Sequence, residues 1–215
     1  RFNDGGVDAQ GRWWIGSLFA PKTHAGAGLY CLERGELKAI LGEQAAQKPW
    51  QDWGVTTANG WAMSPDGTRV YHADTQAHTV YRYDFSEKLP VESALSHRQV
   101  FVQTVDTRQQ SNPSEPYQGR PDGAVVDSAG NYWGALFEGG QIVQTAPDGT
   151  VLQKIALPAK CPTMPCFGGA DLKTLIITTT GDRPVDELAQ YPANGFILSI
   201  QLPVAGLPTR RYRPQ

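Results

Sequence analysis

The chain has few of the residues on which disulfide frameworks and zinc sites are built. Its 215 residues include only three Cys and four His. Cys161 and Cys166 lie close together but form neither two CxxC pairs nor a disulfide framework, so we expect no structural zinc and interpret the cysteines as small buried apolar residues. The four His show no HExxH or paired spacing, and we expect them at solvated or strand-face positions.

The sequence also lacks a large net charge and a long apolar run. A formal net charge of −2 at pH 7 gives no general electrostatic reason to bind nucleic acid or an anionic membrane. No apolar stretch approaches the roughly 20 residues of a membrane-spanning helix. The Gly-x-Ser-x-Gly motif is absent as well, which argues against a serine hydrolase of that type.

Turns and short β-strands account for most of what is present. The chain has 23 Gly and 16 Pro and few long helix-favouring runs; residues 185–190 suggest the one helical turn. Residues 119–134 run from a Pro-Asp-Gly turn through an apolar strand and a Ser-Ala-Gly-Asn turn into an aromatic strand. This order of turn residues and β-formers predicts a β-hairpin.

The same hairpin recurs along the chain with a polar residue at one fixed place. Asn3, Asn59 and Asp122 each stand eight residues before the Gly of a turn, and Cys166 takes that place in a weaker fourth copy. Repeats of tens of residues, each with four short strands, are typical of a β-propeller. We therefore predict an all-β propeller in which this chain supplies about four blades of a six-bladed ring.

The position of Arg1 almost inside the first repeat indicates that the chain is part of a longer polypeptide. Four open blades would leave strand edges unpaired, which proteins usually avoid. We expect residues 1–215 to form one propeller domain whose N-terminal blades precede Arg1. A cytoplasmic location is expected, although the true N-terminus is not visible.

The recurring polar position predicts a site at one end of the propeller channel. The inner strands line the channel, so equivalent positions at their starts converge around the axis. The side-chain oxygens of Asn3, Asn59 and Asp122 would suit a hard cation such as Ca²⁺ or Mg²⁺. The alternative is that Asn-Gly and Asp-Gly are only turn residues. Three copies in register favour the cation site.

These motifs together resemble the SMP-30/gluconolactonase/LRE family, which includes regucalcin and bacterial sugar lactonases. The resemblance covers essentially the whole chain. It rests on residues 1–5, 59–60 with 64–66, 120–123 and 166–172. It implies a six-bladed propeller with a central divalent cation, Ca²⁺ first and Zn²⁺, Mg²⁺ or Mn²⁺ as alternatives, and hydrolysis of lactones.

The resemblance also implies roles for particular residues. Asn59 and Asp122 would be metal ligands, and Asp122 would in addition be the catalytic acid/base. Arg1 and Asn3 would contact the substrate, a small sugar lactone. A Glu that is the family's remaining protein ligand would precede Arg1.

One substrate contact of the family is missing from this sequence. Family members often carry an acidic residue a few positions after the place of Ser17, where this chain has residues 18–21, Leu-Phe-Ala-Pro. Glu138, which follows a return strand of an inner hairpin, is a candidate to replace it. The identity of the lactone is therefore open.

Two other functions remain open on the same fold. One is a non-catalytic propeller that binds a metabolite or a protein, and the other is phosphotriester hydrolysis at the same metal site. A propeller fold alone does not decide between them, whereas an upstream Glu ligand would favour an enzyme. No nucleic-acid, membrane or obligate protein partner is expected.

Overall fold

Short β-strands follow one another along the chain with few other elements between them. The computed structural model describes residues 1–46, 49–108, 114 and 116–214. The first strands are β1 (Phe2–Val7), β2 (Trp13–Ser17), β3 (Leu29–Glu33), β4 (Glu36–Leu41), β5 (Ala58–Met63), β6 (Arg69–Asp74), β7 (Thr79–Phe85) and β8 (Leu95–Gln103). They are followed by β9 (Arg120–Val126), β10 (Tyr132–Phe137), β11 (Gln141–Thr145), β12 (Val151–Ala156), β13 (Pro162–Gly168), β14 (Thr174–Thr179) and β15 (Ile197–Gln201). The helical turn expected at residues 185–190 is confirmed as α1 (Val185–Gln190).

The strands form four antiparallel sheets in two compact units. Unit 1 is Arg1–Phe101 with the residues from Pro208 onward, and unit 2 is Val102–Leu207. Unit 1 holds the sheets β1-β2-β3-β4 and β5-β6-β7-β8, and unit 2 holds β9-β10-β11-β12 and β13-β14-β15. In each sheet, strands that are neighbours in sequence pair with each other, as in a propeller blade. The predicted all-β fold of four consecutive blades is confirmed, whereas the ring of six and the blades before Arg1 stay predictions.

Residues near the start of three inner strands form β-bulges. In β1, β5 and β9 two residues face one residue of the paired strand; they are residues 3–4, 60–61 and 122–123. A bulge bends its strand and changes the direction in which side chains point. The polar position of the repeat therefore lies in a bulge or, for Asn59, directly before one.

Two predictions for Cys166 are wrong: that its side chain is buried, and that it occupies the same place in its strand as Asn3, Asn59 and Asp122. Cys31 and Cys161 are buried as expected, but Cys166 is exposed. It lies between buried Pro165 and Phe167 on β13, so the alternation of side chains along the strand directs it outwards. The irregularity of β13 is nearer the start of the strand. The fourth copy is therefore not in register with the other three.

The Ser, Asn, Pro and Gln residues of the polar segment 104–119 predict an exposed loop, and the structure describes only part of this segment. Residues 109–113 and 115 lie outside the described residues. Thr104 and Thr107 are buried, contrary to this prediction, and Thr104 Oγ1 donates a hydrogen bond to the carbonyl oxygen of Gly119 at 2.9 Å. This bond ties the beginning of the connection to its end. In the described part of the chain, no helix is long and apolar enough to cross a membrane.

Stacked tryptophans join the two sheets of unit 1. The rings of Trp14 and Trp61 lie 5.3 Å apart between centroids and are tilted by only 12°. Gly6 makes this approach possible, since a Cβ there would lie 2.5 Å from Cδ1 of Trp61. In unit 2 the buried Trp133 packs with Phe167 in the apolar cluster between the two sheets. Large aromatic side chains thus stabilise each pair of blades.

A buried aspartate closes the inner hairpin in both units. Asp127 is fully buried, and its carboxylate accepts hydrogen bonds from the backbone N–H of Asn131 at 2.9 Å and from Nε1 of Trp133 at 2.9 Å. Asp8 is the counterpart in unit 1, where it accepts from Nε1 of Trp14 at 2.8 Å. These carboxylates fix both the turn and the tryptophan of the return strand.

Replacing Asp127 by Ala is expected to destabilise the fold strongly. The change leaves several buried donors unpaired, each of which costs about 1–3 kcal/mol, so the free energy of unfolding should fall by about 2–4 kcal/mol in denaturant titrations. Asp148→Ala is the control, because Asp148 lies in an exposed turn and accepts from the N–H of Thr150. Equal losses in the two variants would contradict a special role for the buried carboxylate.

Candidate functional site

Two of the predicted site residues, 56 positions apart in sequence, are in contact in unit 1. Nδ2 of Asn3 donates hydrogen bonds to Oδ1 of Asn59 and to the carbonyl oxygen of Ala58, both at 2.8 Å. Asn3 is at the start of β1 and Asn59 at the start of β5. The fixed position within the repeat predicted that these side chains would lie together, and the structure brings them together.

The side chain of Asn59 is held in one orientation. The residue is buried, and its Nδ2 donates a hydrogen bond to Oγ1 of Thr75 at 2.7 Å. Its Oδ1 is therefore directed towards Asn3. The sequence offered no signal for Thr75 beyond its place after Asp74. The place of Asp74 at the end of a strand, before Thr75 and Gln76, predicts a turn cap. The structure confirms it, because the Asp74 carboxylate accepts hydrogen bonds from the backbone N–H groups of Thr56 and Gln76 at 3.0 and 3.1 Å.

Asp4 is a carboxylate beside this pair that the sequence pattern did not single out. Its oxygens accept hydrogen bonds from the backbone N–H of Gly5 at 2.7 Å and of Trp61 at 3.1 Å. Burial raises the pKa of the Asp4 carboxyl to about 6, because the charged form loses contact with water. Since Trp61 is on β5, the bond ties the two inner strands together next to Asn3 and Asn59. The Asn-Asp-Gly sequence at residues 3–5 indicated only a turn, and it gave no sign that the Asp4 carboxylate would join β1 to β5.

Arg1 lies on a pocket of unit 1. The pocket has a volume of about 440 Å³, and besides Arg1 its lining includes Phe2, Leu18, Phe19 and Tyr30. Leu18 and Phe19 belong to the segment after Ser17 where members of the family often carry an acidic residue that contacts the substrate. The structure therefore places apolar side chains beside Arg1.

His72 is a fully buried histidine on β6. It is 1% exposed, and neither ring nitrogen is hydrogen-bonded to any residue that the structure describes. Burial, and to a lesser extent the charge of Arg98, lowers the pKa of His72 to about 3. The imidazole is therefore neutral at neutral pH. His24 and His97, by contrast, are exposed.

The buried imidazole is expected to weaken the fold as the pH falls. Below the pKa of about 6.5 that a histidine has in the unfolded chain, only the unfolded state binds the proton. Stability from His72 is thus complete above pH 6.5 and falls by up to about 1.4 kcal/mol per pH unit between 6.5 and 4. His72→Leu should flatten the dependence of the unfolding free energy on pH in this range, whereas His24→Leu should not. The same slope in His72→Leu as in the unmodified protein would contradict the prediction.

Asp122 lies in unit 2, in the bulge near the start of β9. It is partly buried, and the residues on either side, Pro121 and Gly123, are buried. A Cβ at Gly123 would lie 2.6 Å from Sδ of Met164 and 2.7 Å from the carbonyl oxygen of Thr163, so β9 and β13 approach closely here. This contact explains the glycine after Asp122. The convergence of Asp122 with the asparagines of unit 1 stays a prediction.

Glu138, the suggested replacement for the missing acidic contact, is bound by three arginines. Its Oε2 lies 3.2 Å from Nη1 of Arg108 and 3.1 Å from Nη2 of Arg120, and its Oε1 lies 3.2 Å from Nη2 of Arg183. The sequence did not indicate this cluster, because Arg108 and Arg183 are 30 and 45 positions from Glu138. A contact between Glu138 and substrate stays a prediction.

The side chains that could bind a cation are the amide of Asn59 and the carboxylate of Asp122, and, among the described residues, they do not belong to a cluster of acidic, His or Cys side chains that could hold it. Within the described ranges, no group of three or more His, Cys, Asp and Glu side chains is arranged to hold a metal ion. The oriented Oδ1 of Asn59 and the carboxylate of Asp122 are both hard donors, which suit Ca²⁺ or Mg²⁺ better than soft metals.

Comparison with known proteins agrees with this fold and these motifs. Residues 1–181 match the model of the SMP-30/gluconolactonase/LRE-like region. The chain is 41% identical over 207 residues to the 6-deoxy-6-sulfogluconolactonase of Pseudomonas putida, covering 96% of this chain and 63% of that protein. It is 36% identical over 181 residues to a pentonolactonase of Haloferax volcanii, covering 84% of this chain and 54% of that protein. This chain thus spans less than two thirds of the length of either relative.

A solved structure supports the fold independently of close sequence similarity. The calcium-binding protein regucalcin from Agrobacterium tumefaciens superposes with a TM-score of 0.79 at 24% sequence identity, and the match covers 99% of this chain and 64% of that one. At this identity the likeness concerns the fold alone. Together with the family match and the relatives, it confirms the resemblance seen in the sequence motifs. The chain belongs to the SMP-30/gluconolactonase/LRE-like family.

Proposed function

We propose that this chain carries most of the catalytic face of a divalent-metal-dependent hydrolase of sugar lactones. The observation that supports the proposal best is the contact between Asn3 and Asn59, which the repeat predicted from positions 56 residues apart. The two amides hydrogen-bond to each other across two sheets, and Thr75 orients that of Asn59, which a residue needed only for its own turn would not require. The names of the two relatives, a sulfogluconolactonase and a pentonolactonase, support a sugar lactone as the substrate.

Asn59 and Asp122 are the proposed ligands of the cation. Asn59 fits this role because Thr75 holds its amide so that Oδ1 points towards the start of β1. Ca²⁺ is the first candidate, since its oxygen ligands are carboxylates and amide or backbone carbonyls. When bound, the cation supplies positive charge that stabilises the lactone carbonyl oxygen as it becomes negative in the transition state.

Asp122 is the proposed acid/base of the reaction. Its carboxylate takes a proton from the water that attacks the lactone carbonyl carbon. As the ring C–O bond breaks, the same group returns that proton to the leaving alkoxide, so that the product is a hydroxy acid. Arg1 and Asn3 orient the sugar by hydrogen bonds to its oxygens. The apolar side chains of Leu18 and Phe19 beside Arg1 would then limit which sugars fit.

The experiment that tests the proposal is a hydrolysis assay on the complete protein that contains these 215 residues. Proton release from glucono-1,5-lactone and from pentono-lactones is measured against the spontaneous rate, after treatment with a chelator and again after Ca²⁺, Mg²⁺, Mn²⁺ or Zn²⁺ is added back. We expect hydrolysis that disappears with the chelator and returns with a cation. Lactone binding without hydrolysis under any cation would overturn the proposal in favour of a non-catalytic binding propeller.

A further inference from the structure

Two arginines in unit 2 are fixed side by side at the end of the β9–β10 hairpin. One oxygen of the Glu138 carboxylate forms an ion pair with Nη2 of Arg120 at 3.1 Å. The other accepts a hydrogen bond from Nη2 of Arg183 at 3.2 Å. Both guanidinium groups also lie against the ring of Phe137, with their central carbons 5.3 and 5.4 Å from its centroid. One carboxylate and one aromatic ring therefore hold both cations in place.

A second carboxylate orients Arg183 further. Nε of Arg183 donates to Oε1 of Glu187 at 2.6 Å, and its Nη2 donates to Oε2 of the same residue at 3.1 Å. Lys160 also pairs with Glu187, at 2.8 Å, and this pairing with Arg183 and Lys160 lowers the pKa of Glu187 to about 2. Glu187 is therefore ionised and keeps the guanidinium of Arg183 in a fixed plane.

Hydrogen-bond donors remain available on both arginines. Nη1 of Arg120 and Nη1 of Arg183 donate to none of the described residues, and neither is among the buried unpaired atoms. The cluster also carries more positive than negative charge. The cations are Arg108, Arg120, Lys160 and Arg183, and the anions are Asp106, Glu138 and Glu187. Prealigned donors with an excess of positive charge are suited to bind an oxyanion.

The cluster lies at the same end of its hairpin as the proposed catalytic residue. Arg120 is the first residue of β9 and pairs with Phe137, the last residue of β10. Asp122 follows Arg120 by two positions, and both are partly buried whereas Pro121 between them is buried. An anionic group bound by the arginines would therefore belong to the molecule on which Asp122 acts.

We propose that Arg120 and Arg183 bind an anionic substituent of the lactone, a carboxylate, phosphate or sulfonate group away from the ester carbonyl. The inference rests on the proposed function and adds the class of substrate. Glu138 then serves to position the two arginines rather than to contact a sugar hydroxyl. The three oxyanions share the chemistry that the guanidinium groups recognise, a compact negative charge with several acceptor oxygens.

The test compares charged and neutral lactones in the complete protein. Values of kcat/KM are measured for glucono-1,5-lactone and for gluconolactones that carry phosphate, sulfonate or carboxylate at C6, with unmodified protein and with Arg183→Gln. We expect the ratio of anionic to neutral kcat/KM to fall by roughly 10–100-fold, the effect of losing one hydrogen bond to a charged group. Arg183→Lys should keep part of the ratio, and Lys154→Ala, which removes an exposed charge of β12, should leave it unchanged.

The outcomes separate this inference from the proposed function. Hydrolysis of lactones with the same ratio in Arg183→Gln and in the unmodified protein would overturn the anion site alone, and the arginines would then be a structural ion-pair network. No hydrolysis of any lactone would overturn the proposed function. The anion site would still be tested by titrating gluconate and 6-phosphogluconate calorimetrically, with tighter binding of the phosphate expected and its loss in Arg183→Gln. The oxyanion with the highest kcat/KM identifies which of the three the site prefers.

Discussion

Replacing Asp122 by Asn is expected to lower lactone turnover by ~10²–10⁴, the usual effect of losing a positioned general base. The substitution keeps the size of the side chain and one oxygen that can bind a cation, but it removes a charge and the proton acceptor. Turnover should therefore fall more than cation affinity does. The measurement is the rate of lactone hydrolysis over a cation titration.

Asp171→Asn is the matched control for this change. Asp171 is an exposed aspartate of the same unit whose carboxylate accepts the backbone N–H of Lys173 at 3.1 Å. Its replacement should leave hydrolysis unchanged. Recovery of Asp122→Asn to nearly full turnover at high cation concentration would mean that Asp122 is only a ligand and that another group is the base.

Asn59→Ala is expected mainly to lower the affinity of the protein for the cation. Removal of a ligand should weaken cation affinity by at least ~10²-fold, since even residues that only orient a ligand typically contribute 10–100-fold. Part of the activity should return when the cation concentration is raised, which distinguishes this variant from Asp122→Asn. Calorimetric titration of Ca²⁺ measures the affinity directly.

Thr75 provides a graded comparison. Thr75→Val removes the oxygen that accepts the hydrogen bond from Nδ2 of Asn59 but keeps the shape of the side chain. This substitution should lower the affinity for the cation by roughly 10-fold, which is less than the loss expected for Asn59→Ala. Cation affinities that are the same in Asn59→Ala, Thr75→Val and the unmodified protein would show that Asn59 serves only the turn.

The features that recur in each copy of the hairpin could be predicted from the sequence. Alternating apolar residues and turn residues gave the strands and their order. The fixed position of Asn3 and Asn59 in two copies of the hairpin predicted their contact. The repeat did not predict the fourth copy correctly. Cys166 occupies the expected place in the sequence, but the register shift of its strand lies between Pro162 and Met164.

Interactions between side chains that are not repeated could not be predicted in this way. The bond from the Trp61 amide to Asp4 joins residues 57 positions apart, and the Asn59–Thr75 bond depends on where β6 ends. The arginines around Glu138 come from three separate segments of the chain. Such contacts follow from tertiary packing, and neither the spacing nor the composition of the sequence carries a sign of them.

A crystal structure of the complete protein grown with Ca²⁺ or Mn²⁺, with the ion located by its anomalous scattering, tests the central claim most directly. We predict one ion bound by Oδ1 of Asn59 and a carboxylate oxygen of Asp122, each within ~2.3–2.6 Å for Ca²⁺, with Asn3 and Arg1 facing the open side of the site. An ion bound elsewhere, or Cα atoms of Asn59 and Asp122 more than about 12 Å apart, which short side chains and two such bonds could not span, would contradict it.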